Sequence, residues 1–246
     1  TMEQLDKLAE QVNVEKGNWG AGDKPTARDV VENLIKPQTQ QSGLSWALQQ
    51  NPAGIRPKWF VTHAWDEAFE DFIHALKSFI LPEDYASAGI WVCFVANPQT
   101  WPEDQLQKLL VSNPFQSPFA LALNESSALV VIRTHLKPEN NKNRCLYSRL
   151  WCVFEAWYAQ DLAKKNKKEL PIFVLGRNYS RHEITEMEPG MGLNASCTDE
   201  NDKESILRII NNCDTEALDL LVTDILLAES GRCVAGRWRG MHFSLV

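Results

Sequence analysis

The stretch CLYSRLWCVFEAWYAQD, residues 145–161, sets a single carboxylate, Glu155, among largely uncharged neighbours. It contains neither Pro nor Gly, and Leu146, Leu150, Val153, Phe154 and Trp157 recur at helical spacing, so one face packs on a core. Ser148, Trp151, Cys152, Glu155 and Tyr158 fall on the neighbouring stripe, three or four residues apart and therefore adjacent on the helix surface. A carboxylate placed like that is partly desolvated, which raises its pKa and readies it for chemistry or for hydrogen bonds to a polar ligand. A second reading stays open: a glutamate at the edge of a buried helix, capped by solvent or by Arg149.

Other chemistries fit less well. His63, His135, Cys93 and Asp66 are metal-ligating types, but no pair has helix or knuckle spacing, so no metal is expected. Cys152 with His63 lacks a local signature for a nucleophilic pair, and a buried structural cysteine is expected there. The glycine-rich GNWGAGDKP departs from a phosphate loop because Asp23 separates Gly22 from Lys24. After the first strand, THAWDE stands where a dinucleotide fingerprint would need G-x-G-x-x-G, which excludes a conventional dehydrogenase.

The elements that position Glu155 alternate in type. Strands are expected at 58–63, 90–95, 128–133 and 171–176, and the second and later ones are near-continuous apolar runs. Between the first two, Asp66 reads as the N-cap of an amphipathic helix through Phe69, Phe72, Ile73, Leu76, Phe79 and Ile80, closed by Pro82. A long connection, 96–127, carries a helix from Glu103 to Val111 and then a Pro/Phe-rich loop. Two helices follow the fourth strand, near 202–211 and 215–229, and a fifth edge strand has room within 177–200. Strand alternating with helix gives an α/β fold: a flavodoxin-like parallel sheet of four or five strands with helices on both faces. The chain divides into an N-terminal helical and loop extension (1–56), the α/β domain (57–230) and a C-terminal tail (231–246). In the extension, Leu5, Leu8 and Val12 mark a short helix, and Thr26 caps another that Pro37 ends.

Ligands of such sheets bind beyond the carboxyl ends of the strands. That edge collects His63, Trp65 and Asp66 after strand one, Asn97 to Trp101 after strand two, and Arg133 with His135 after strand three. One acid, exposed indoles and several hydrogen-bonding groups suit a flat, polar, ribose-containing molecule. Trp65 also suits a plug at the sheet end, and Asp66 a cap.

Net charge is −7, and the one dense basic run, Lys164, Lys165, Lys167 and Lys168, lies at a helix C-terminus. No nucleic-acid partner is expected from that balance. Six scattered cysteines without a C-x-x-C pair, and no long apolar span, lead to the expectation of a cytoplasmic, reducing setting with no membrane contact.

Two segments carry a family resemblance. FVTHAWDEAFEDFIHAL resembles the first box of Toll/interleukin-1 receptor (TIR) domains, where a short strand ends in a Ser/Thr-His turn and an Asp precedes the first helix. SRLWCVFEAW resembles the S-x-x-W-C-x-x-E motif of plant-type TIR domains, with Ser148, Trp151, Cys152 and Glu155 all coinciding. The resemblance covers about residues 57–176. It implies cleavage of the nicotinamide–ribose bond of NAD, a substrate and not a cofactor, with Glu155 as the catalytic residue. It further implies Trp101 stacking on the ligand, His63, Trp65 and Asp66 lining the opposite wall, and Ser148, Trp151 and Cys152 contributing from the helix. Homo-oligomers and a role in stress or immune signalling are expected on the same ground. The long 96–127 connection, the extension and the tail helices depart from a minimal TIR domain. Two alternatives remain: a non-catalytic TIR scaffold acting by self-association, and another nucleoside or nucleotide N-ribosyl hydrolase.

Overall fold

A computed structural model describes residues 1–20, 24–102, 105, 113–134, 145–166, 170–186, 195, 197, 200–210 and 215–234. Apart from residue 105, the expected helix 103–111 lies outside the described residues, as does His135. The centre is a five-stranded sheet in the order β2-β1-β3-β4-β5. Its strands are β1 (Pro57–Thr62), β2 (Gly89–Val92), β3 (Ala128–Arg133), β4 (Ile172–Gly176) and β5 (Arg232–Val234). The first four are parallel, in registers such as Thr62 opposite Val131 and Val131 opposite Val174. β5 runs antiparallel to β4. The fifth strand thus comes from the tail, and the described part of 177–200 holds a helix instead, α9 (Arg181–Glu186).

Alternate residues of each strand feed two cores, as a two-residue period requires. Phe60, Leu129, Val131, Ile172 and Val174 face α7 (Pro118–Glu125), α8 (Leu150–Asn166), α10 (Glu200–Ile210) and α11 (Thr215–Leu227). Val61, Val130, Ile132 and Leu175 face α5 (Phe69–Phe79) and α1 (Met2–Glu15), with Met2, Leu5 and Leu8 fully buried beside Phe69 and Phe72. One core therefore joins the first 56 residues to the sheet. All six residues of β3 are buried, the pattern of a central strand covered on both faces.

The chain leaves β1 towards the α5 face and leaves β3 towards the α8 face. Connections that diverge from neighbouring parallel strands mark the switch point where ligands of such sheets bind, and here that point lies between β1 and β3.

Several local expectations are corrected. The second strand ends at Val92, and Cys93–Ala96 turn as a short helix, α6; periodicity cannot tell strand from helix in so short an apolar run. Ile90 and Trp91 are only half-buried, because β2 is the sheet edge. Pro37 does not end its helix. A π-turn, Val31–Ile35, joins α2 (Ala27–Val30) to α3 (Lys36–Thr39), and the wider turn accommodates a residue with no N–H to give. The Pro/Phe-rich loop contains α7, capped by Ser117, whose hydroxyl accepts from Ala120 N. Asp66 is not the cap of α5. Residues 25–28 bridge to 65–69 instead, and Phe69 N–H donates to the Pro25 carbonyl at 2.9 Å, so a tertiary contact replaces the local one. Finally, the central helix begins at Leu150. Leu146–Ser148 form a 3₁₀ turn, and Arg149 is extended between the two.

Gly176 ends β4 with φ of +87°, and a Cβ there would run into the Arg133 carbonyl that Arg177 N–H bonds at 2.6 Å. Gly176→Ala is predicted to cost about 2–3 kcal/mol in urea unfolding. An unchanged midpoint would mean that the backbone there is free to relax.

Candidate functional site

Glu155 is placed by its helix neighbours. Leu150, Val153, Phe154 and Ala156 have no exposed surface and pin α8 to the sheet, which leaves Glu155 only 5% exposed at the carboxyl end of β1. Burial is the main cause that lifts its pKa, to about 7. The Thr62 hydroxyl and the charges of His63 and Arg149 pull the other way and lose. Neither Glu155 Oε2 nor Thr62 Oγ1 completes a hydrogen bond of normal geometry, and the fully buried Tyr147 hydroxyl also has no hydrogen-bond partner among the described residues. Tyr147 lies within electrostatic reach of both Glu155 and Cys152, and burial keeps its phenol neutral. The carboxylate and two neighbouring hydroxyls therefore have bonding capacity to spare.

Arg149 does not cap Glu155. Its guanidinium lies 3.8 Å from Asp66, which also pairs with Arg28 at 3.2 Å. No ion pair reaches Glu155 among the described residues. The three side chains form a partly exposed, positively biased rim beside the buried acid, and exposed pairs of this kind contribute little to stability.

On the β1 side, His63 Nδ1 lies 2.7 Å from Glu67 Oε1, and Thr134 Oγ1 donates to Glu67 Oε2 at 2.9 Å. Burial alone would drive the imidazole towards neutrality, but the Cys93 sulfur and the Glu67 carboxylate outweigh it and push His63 up to about 10. Glu67 is itself raised by burial, against the pull of His63 and Thr134. The proton is held between them.

The structure brings His63, Cys152 and Glu155 together. Cys152 is buried, its thiol donates to the His63 carbonyl at 3.6 Å, and burial pushes its pKa far up, so it is no nucleophile. Trp65 and Asp66 sit at the rim, Trp65 under the Arg28 guanidinium at 5.6 Å. The remaining expected residues point elsewhere. Trp151 donates its indole N–H to Asp202 at 2.9 Å and stacks on Phe119 at 4.6 Å. Ser148 lies in the 3₁₀ turn, not on the stripe of α8, and its hydroxyl donates to the Cys145 carbonyl at 2.8 Å. Trp101 donates to the Gly43 carbonyl at 2.7 Å, against the N-terminal segment. Arg133 is a helix clamp: buried to 1% exposure, it donates to the Ile225 and Leu226 carbonyls at the end of α11.

Thr62, Glu67, Thr134 and Tyr147 were not read from the sequence as site residues. Only Glu67 left a signal there, four residues beyond His63 in the same turn. No group of three or more His, Cys, Asp or Glu with the layout of a metal site occurs among the described residues, and no helix among them is long and apolar enough to cross a membrane. Comparison with protein-family models, with curated proteins and with solved structures returns no match.

The raised pKa of Glu155 makes stability pH-dependent. Between 4.5 and about 7 the unfolded chain releases this proton while the folded chain keeps it, so stability falls as pH rises through that window and levels off above it. Relative to Glu155→Gln, the native protein is predicted to lose about 3 kcal/mol between the two ends. Urea unfolding of both proteins across the window checks this. A difference that stays constant with pH would show that Glu155 does not titrate there.

Proposed function

We propose that this chain cleaves the nicotinamide–ribose bond of NAD, with Glu155 as the carboxylate that faces the reacting sugar. The observation that carries the reading is a nearly buried acid, with an unbonded oxygen and no ion-pair partner among the described residues, beside the carboxyl end of β1 at the switch point between β1 and β3. As the C–N bond breaks, its electrons leave with nicotinamide, which departs as a neutral base, and positive charge develops on the ribose. An ionised Glu155 in a low-dielectric site stabilises that charge and accepts hydrogen bonds from the ribose hydroxyls. Thr62 and Tyr147 have hydroxyls to offer the same sugar. Arg28 and Arg149 supply the positive charge that a pyrophosphate needs, on a rim that opens at little cost. Attack of water on the sugar gives ADP-ribose, and attack from within the molecule gives a cyclised product.

The TIR likeness rests on the two motifs and is supported by the 2-1-3-4 order of parallel strands, the flavodoxin-like arrangement; the antiparallel β5 departs from it. Signalling in stress or immunity in the cytoplasm, through homo-oligomers, is the setting that likeness implies. A non-catalytic scaffold is the second reading, favoured by the internal hydrogen bonds of Trp101 and Trp151 and by the small exposure of Glu155.

Incubation with NAD, with chromatography of products at several protein concentrations, separates the two. The enzyme reading predicts nicotinamide release that Glu155→Ala lowers by about 100-fold or more. Because the carboxylate must be ionised, release should fall about tenfold per pH unit below the Glu155 pKa of about 7 and flatten above it. Equal release by Glu155→Ala would remove the residue from its role. No release at any concentration, with self-association intact, would establish the scaffold.

A further inference from the structure

The sulfur of Cys93 ends a hydrogen-bonded line that the chemistry at Glu155 does not use. His63 Nε2 lies 3.3 Å from Cys93 Sγ, and the Trp65 indole N–H donates to the same sulfur at 3.2 Å. Behind the imidazole, Glu67 Oε1 is 2.7 Å from Nδ1 and is itself held through Thr134. The Glu67 carboxylate accepts a hydrogen bond from Nδ1–H, which turns Nε2 towards the sulfur; on taking the thiol proton there, His63 becomes the imidazolium. An indole N–H can only donate, so one sulfur lone pair already has a donor and negative charge there is favoured. Nucleophile, base within reach and a third group orienting the base form the arrangement that activates a side chain for attack. Cys93 is also partly exposed, whereas Cys145 and Cys152 are buried. His63 is flanked by Phe72 and Phe94 at ring distances of 5.2 and 5.1 Å, which holds the imidazole plane in place behind the sulfur.

We propose that Cys93 is a nucleophilic thiol, deprotonated by His63, and a modification site for hydroperoxides. The sulfur attacks the distal oxygen of the peroxide. An S–O bond forms and the O–O bond breaks. Sulfur is oxidised by two electrons to the sulfenic acid, and the hydroperoxide is reduced to water or an alcohol. The proton first taken up by His63 Nε2 passes to the departing hydroxide or alkoxide. Glu67 and Thr134 act as positioning residues, and the site stands independently of the role given to Glu155.

The test uses the full chain with limiting hydrogen peroxide, trapping of sulfenic acid by dimedone, and mass spectrometry resolved by cysteine, with N-acetylcysteine as the reference thiol in the same tube. A thiol with a base and a donor already in contact with its sulfur reacts faster than a free thiol under the same conditions. Cys93 should be trapped about 10-fold or more faster than the reference, and faster than the exposed Cys233. Trp65→Phe, which keeps a ring and removes the N–H, should slow it severalfold, and His63→Gln should return it to the reference rate. Cys93 reacting no faster than N-acetylcysteine in the native chain overturns the proposal without recourse to any variant. A folded His63→Gln that reacts at the native rate overturns it as well.

Discussion

A hydrogen bond of 2.7 Å between His63 and Glu67, whose side chains are 1% and 0% exposed, ties together the parts of this molecule that matter most. Neither group can be charged alone at that depth, and removing one partner from such a pair costs about 3–5 kcal/mol. The bond fixes the turn that follows β1. Through Thr134 it fixes the exit of β3, and through Cys93 the exit of β2. Three adjacent strand ends are thus locked by polar contacts, where loops would otherwise move freely. The helix carrying Glu155 packs on the sheet beside strand ends held by that lock.

The same lock decides the electrostatics. A cationic His63 lies within range of Glu155 and lowers its pKa, as do Thr62 and Arg149, yet burial outweighs all three. The acid is left titrating near neutrality because its neighbours offer partial compensation and no direct pairing. Asp66 is the reason Arg149 does not supply it: the guanidinium is drawn outward to an exposed carboxylate. A single exposed aspartate so preserves the unusual state of a buried glutamate on the next layer.

Much of this was legible in the chain. Apolar runs at 128–133 and 171–176 could only be buried strands, and the unbroken helical spacing around Phe154 put Glu155 beside a core face. What escaped reading was contact between distant segments. Asp66 has the chemistry of a cap, but Pro25 supplies the acceptor, 44 residues before Phe69, the first residue of the helix it serves. The indoles of Trp101 and Trp151 have the amphipathic character of ligand platforms, yet Gly43 and Asp202 satisfy them internally. β5 has too few residues to announce itself, and it forms because Ile172, Phe173 and Val174 present an open edge to pair with. The relay through Glu67 needs three strands to meet, which no spacing along one segment encodes.

The bridge between residues 25–28 and 65–69 carries one more implication. The turn bearing His63, Trp65 and Glu67 is braced from outside by a stretch of chain that precedes the sheet, through Ala27 N–H to the Glu67 carbonyl and Arg28 N–H to the Trp65 carbonyl. Any binding event or chemical change that displaces the leading helices therefore pulls on this turn directly, so the front of the chain has a mechanical handle on the residues beside Glu155.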